Sequence, residues 1–144
     1  MGPGGRMAAA RLSGLIGLLA LAAAASSHAG LADVLQVEIR PSTRPHHYDI
    51  AVTVAHADSG WDHYANRWEV LAPDGDVLAT RVLAHPHVHE QPFTRSLSGV
   101  KVDPSHERVF VEAHDKVHGW SKDRLEIDFA NPVASRYEIK GRKP

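Results

Sequence analysis

Beyond residue 30 the apolar positions of this chain recur with a period of two almost wherever a period can be read, the signature of half-buried strands. Leu35, Val37 and Ile39 alternate with Gln36, Glu38 and Arg40. Tyr48, Ile50, Val52 and Val54 form the cleanest stripe. Tyr64, Trp68 and Val70 lead into Pro73-Asp74-Gly75, a tight-turn signal, and Val77–Leu83 completes that hairpin. Phe93–Leu97, then Val109, Val111 and Ala113, then Leu125, Ile127 and Phe129 supply three more stripes. No segment in this part of the chain has the 3.6-residue period of an amphipathic helix. The pattern predicts an all-β domain of seven antiparallel strands over residues 30–130. Residues 131–144, polar and basic through Arg136, Lys140, Arg142 and Lys143, are expected to form a frayed tail.

The first 29 residues follow a different pattern. Arg6 and Arg11 precede an apolar run, Leu12–Ala25, and Ser27-His28-Ala29 supplies the small-x-small site of a signal peptidase. Met7 could equally serve as the start. A retained anchor is disfavoured, because the run is only about 14 residues and a span needs roughly 20. Cleavage after Ala29 is therefore expected, giving a periplasmic or secreted protein with no membrane span. A cut after Ser27 would instead expose His28, whose amine and imidazole together chelate Cu(II), as in CopC-like copper carriers. The chain holds no Cys, which excludes both a lipid-modified N-terminal cysteine and a disulfide scaffold.

Seven short strands separated by turns, with Trp68 on the third, resemble the immunoglobulin and fibronectin type III sandwiches. The resemblance implies a seven-stranded antiparallel sandwich with Trp68 in its core. Segments 61–71 and 85–99 also look like small exported bacterial proteins whose function is not established, so that likeness implies no activity.

The chain carries a formal net charge of −1, and removing Arg6 and Arg11 makes the remaining domain more acidic still. Nucleic acid, which needs a basic face, is not an expected partner. No Gly-x-Ser-x-Gly elbow, phosphate loop or His-Glu-x-x-His helix occurs, so an enzyme is the least expected class.

Histidine usage points to chemistry. Of eleven His, ten lie beyond the leader. In an up-and-down sandwich the loops after strands two, four and six share one end. Those loops hold His56, His63, His85, His87, His89, His114 and His118, whereas His46, His47 and His106 fall at the other end. In an extended segment His85, His87 and His89 would face one way about 6.6 Å apart, and His114, His118 and His63 could close a site around them. These six are the candidate metal ligands. His56, which continues the inward stripe of the second strand, is expected to pack beneath the loops, and Asp58, Asp62 and Asp115 are expected to cap turns. Imidazole and carboxylate without sulfur suit Zn(II), Cu(II) or Ni(II) rather than Cu(I), and Zn(II) or Cu(II) is the expected ion. The expected function is metal carriage, buffering or sensing. The alternative is a recognition module that binds a protein or carbohydrate partner in the envelope, without metal, through the same loops and Trp61, Tyr64 and Trp120.

Overall fold

A computed structural model describes residues 30–141; the leader and its cleavage site lie outside the described residues. All seven predicted stripes form strands: β1 (Asp33–Pro41), β2 (His47–Ala55), β3 (Ala65–Leu71), β4 (Val77–Val82), β5 (Phe93–Lys101), β6 (Arg108–Asp115) and β8 (Leu125–Asp128). Three short strands accompany them: β7 (Gly119–Trp120), β9 (Val133–Ala134) and β10 (Tyr137–Ile139). No helix occurs among the described residues. One sheet runs β5-β2-β1-β10-β9. The other runs β4-β3-β6-β7, with β8 also paired to β6.

The β2 stripe behaves as its sequence dictates: Tyr48, Ile50, Val52 and Val54 are buried and the residues between them are half-exposed. β1 departs from strict alternation. Its register with β2 shifts between Val34 and Gln36, and such a bulge moves the following residues to the opposite face. Val34, Val37 and Ile39 are therefore buried, while Leu35, expected to point inward, is 42% exposed. A second irregularity lies where β5 passes β2. There Gly99 takes φ +68° and donates its N–H to Asp49 Oδ1 at 3.0 Å. The β3–β4 hairpin closes through Gly75 at φ +93°, whose N–H bonds the carbonyl of Ala72 at 2.9 Å.

Both sheets contribute to one apolar cluster. Trp68 belongs to it, fully buried as expected, together with Phe93, Ile39, Ile50, Ile127 and Ile139. Fully burying one such apolar side chain stabilises the fold by about 1.5–3 kcal/mol. With no disulfide available, packing of this kind must hold the domain together.

The expectation of a frayed C-terminal tail is corrected. β10 pairs in parallel with β1, setting Tyr137 against Val37 and Ile139 against Ile39. Tyr137 and Ile139 are buried, and Tyr137 donates its hydroxyl to the carbonyl of Asn131 at 2.8 Å. Arg136 and Lys140 flank this inward pair, whose period-two spacing is too short to stand out in sequence. The same strand corrects the expected architecture in a second way: ten strands occur among the described residues, and the β1–β10 pair is parallel.

The loops sort to two ends. Residues 42–46 and 102–107 meet at one, where Val102 N–H bonds the carbonyl of His46 at 2.9 Å. Residues 56–64, 83–92 and 116–118 meet at the other, with Asp58 reaching the backbone of His87 and Lys116 N–H bonding the carbonyl of Tyr64.

Candidate metal centre

Two buried carboxylates organise the histidine-rich end. Asp58 has a fully buried side chain. Its Oδ1 accepts from the Ala65 N–H at 2.9 Å and from His56 Nδ1 at 2.5 Å, and its Oδ2 from the His87 N–H at 2.7 Å. One side chain thereby ties together the loops after β2 and β4 and the start of β3. Asp115 ends the inward stripe of Val109, Val111 and Ala113 and is completely buried. Its Oδ1 accepts the N–H groups of Val117 (2.9 Å) and His118 (2.7 Å), folding the chain back towards β7. Burial acts to raise the Asp115 carboxyl. The two N–H bonds, the His56 ring and the His118 side chain outweigh it, so the group ionises below the ordinary carboxylate range. Asp115 Oδ2 has no hydrogen-bond partner although it is buried. An orphaned charged oxygen of this kind is costly.

Beside that carboxylate lie two imidazoles. His63 Nε2 is 3.3 Å from Asp115 Oδ1, His118 Nδ1 is 3.2 Å from the same oxygen, and the two nitrogens are 3.1 Å apart. Donors held about 2.0–2.1 Å from a tetrahedral ion lie roughly 3.3–3.4 Å from one another. The triangle has nearly that size. His56 completes the group: its ring meets the edge of His63 at 4.8 Å, and one donor atom from each of His56, His63 and Asp115 fits within 4.8 Å.

The two bonds of His56 carry further chemistry. Nδ1 faces Asp58 and Nε2 faces the carbonyl of Gly30 at 3.0 Å. Both partners only accept, so satisfying them together requires both ring N–H groups. A metal on one nitrogen would leave the Asp58 bond on the other, the carboxylate–histidine arrangement that orients metal ligands.

The predicted ligands divide accordingly. The structure brings together His63 and His118 with Asp115. It does not bring the other four to that group. Residues 85–89 are not extended, because the chain bends at His85 and turns at Val88–His89, so the two-residue periodicity that would align three imidazoles is absent. His87 points inward instead, 4% exposed and stacked on Phe93 at 3.9 Å. Arg95 Nη2 donates to its Nε2 at 3.0 Å, which occupies the lone pair a metal would need. Burial, then the Arg95 and His85 charges, lower the His87 pKa. His85 lies against His87 and bonds its own turn, and His89 is exposed. His114 is held by Asn66 Oδ1 at 2.7 Å and meets Trp120 edge-on; burial, then Arg67, lower its pKa.

Sequence reasoning gives His56 and Asp115 only packing and capping. Each does pack or cap, and each also joins the donor group. The available signal is their parity, since both continue an inward strand stripe by one more step of two.

No family model matches the chain. It is 35% identical over 96 residues to a protein of Halomicrobium mukohataei described as a "Putative lipoprotein", a stretch covering 67% of this chain and 46% of that protein. The chain thus spans about half the length of this curated relative. Among solved structures, a point variant of the superoxide reductase (neelaredoxin) of Archaeoglobus fulgidus in the reduced form aligns with a TM-score of 0.39 at 11% identity, covering 69% of this chain and 86% of that one.

Proposed function

We propose that this protein is an exported β-sandwich that binds one divalent transition metal ion, Zn(II) or Cu(II), through His63, His118 and Asp115, with His56 held beside them by Asp58 and the Gly30 carbonyl. The observation that carries this reading is the 3.1–3.3 Å triangle of His63 Nε2, His118 Nδ1 and Asp115 Oδ1. Two nitrogens and an anionic oxygen converge at ligand spacing, beside a buried oxygen that has no other partner. A cation there would satisfy Asp115 and neutralise its charge. The donor set is imidazole and carboxylate, matching Zn(II) and Cu(II).

The site is suited to binding rather than to turning over a substrate. Asp115 is committed to its own turn by two N–H bonds, and the nearby Asp58 is likewise occupied by three donors. Asp58 is held on both of its oxygens, and the Asp115 Oδ2 that has no partner is the atom a bound cation would satisfy. Carriage, buffering or sensing fits such a site. Export is supported by the leader pattern of residues 1–29 and by the lipoprotein description of the relative.

The test is titration of tag-free processed protein with Zn(II) and Cu(II). One equivalent is expected to bind, and His63→Ala or Asp115→Asn to remove that stoichiometric binding. His85→Ala combined with His89→Ala is expected to leave it intact. Equal losses from both sets, or none from either, would refute the proposal.

A further inference from the structure

Gly30 lies against the donor cluster. Its carbonyl accepts from His56 Nε2 at 3.0 Å. Its backbone is also pressed on the His118 ring: a Cβ added at Gly30 would fall 2.8 Å from both ring nitrogens. At φ +87° the residue occupies a conformation that favours glycine. Position 30 therefore needs a residue without a side chain, and the closeness of His118 is the second reason.

The sequence independently places a peptidase site at this same residue. Ser27-His28-Ala29 is a small-x-small site, and a cut after Ala29 turns the Gly30 nitrogen from an amide into a free amine. The lone pair of a neutral amide nitrogen is delocalised into its carbonyl, which makes it a poor metal donor, whereas that of an amine is available. From the 2.8 Å approach and standard bond lengths, that nitrogen lies within about 5.3 Å of His118 Nδ1. Rotation about the Gly30 Cα–C bond swings the amine while leaving the carbonyl on His56.

We infer that processing completes the metal site: the α-amine of Gly30, freed by signal-peptide cleavage, becomes a nitrogen ligand alongside His63, His118 and Asp115. The inference rests on the proposed metal site and adds a ligand that exists only in the exported form. The uncleaved precursor would bind more weakly, so loading would be tied to export. An extra amine nitrogen also favours Cu(II) over Zn(II), because Cu(II) stands above Zn(II) in affinity for nitrogen donors.

The experiment starts from the full chain, expressed with its own leader and recovered after export. Mass analysis is expected to find Gly30 at the N-terminus; any other first residue overturns the inference. Half of the sample is then acetylated selectively at its α-amine, and both halves are titrated with CuCl2. Acetylation is expected to weaken Cu(II) about tenfold or more and to move the visible Cu(II) band to longer wavelength, as loss of a nitrogen donor requires. Equal affinity and an identical spectrum in the two halves would overturn the inference while leaving the His63–His118–Asp115 site standing. If neither half binds Cu(II) or Zn(II), and His63→Ala changes nothing, the metal site fails and this inference fails with it.

Discussion

Replacing Asp58 with alanine strips three donors of their acceptor at once. The Ala65 N–H, the His87 N–H and the His56 Nδ1 all end on this carboxylate at 2.5–2.9 Å, in surroundings where its side chain is wholly buried. A buried donor left without a partner costs about 1–3 kcal/mol. Some relief comes from water entering at a loop end and from no longer burying a charge. The expected net loss for Asp58→Ala is about 4 kcal/mol, a large part of the roughly 5–15 kcal/mol typical of a domain. Asp58→Asn keeps one carbonyl oxygen and should lose about half as much. Urea denaturation in the presence of a chelator, which removes any contribution from bound metal, reads both. The midpoint should fall in the order wild type, Asn, Ala, with an unchanged slope. An Asp58→Ala protein within about 1 kcal/mol of wild type, or an Asn variant less stable than Ala, would refute the view that this carboxylate joins the three segments.

Other expectations concern pH, the last strand and one glycine. His87 and His114 have lowered pKa values in the folded state, so the unfolded chain binds protons first as pH falls; metal-free stability should be full above about 6.5 and decline as pH drops through the folded values. Thermal melting across pH 5–7.5 reads this, and His87→Gln should flatten the profile. Asp115, held below the ordinary carboxylate range, adds stability above about pH 4 that is lost on further acidification; the same melts carried down to about pH 2 check it, and Asp115→Asn should shrink that acid limb, leaving the part due to Glu90, Asp103 and Asp128. Ile139→Ala should cost about 3 kcal/mol by chemical denaturation, whereas a frayed tail would cost nothing. Gly99→Ala, at φ +68°, should cost about 1 kcal/mol in the same assay.

The strands were legible because each long stripe carries three or four apolar residues at strict alternation, and burial against a second sheet stabilises that pattern. β10 was not, since Tyr137 and Ile139 are only two residues in a basic segment and owe their burial to β1, far earlier in the chain. Loop parity correctly located the histidine-rich end, because it depends only on how many strands precede a loop. Parity could not choose among the seven histidines there. That choice depended on the turn at Val88–His89, which set His87 on Phe93, and on Asp115, whose two N–H bonds placed the His118 ring. His56 and Asp115 were visible as continuations of their stripes, but a polar residue in an inward register reads equally well as a cap or as a ligand. Only the distances separate the two.

The parallel pairing of β1 with β10 also governs when this protein can fold. β1 has β2 on one side within the same hairpin, but its other neighbour is the final strand. A chain delivered N-terminus first, whether from a ribosome or across a membrane, presents a half-satisfied β1 until residues 137–139 arrive. Val37 N–H, which bonds the carbonyl of Arg136, and the carbonyl of Ile39, which accepts from Lys140, wait throughout that interval. Pairings this distant in sequence form late and slowly. The domain is thus kept open during synthesis by its own topology, and closes only once residues 137–139 have arrived.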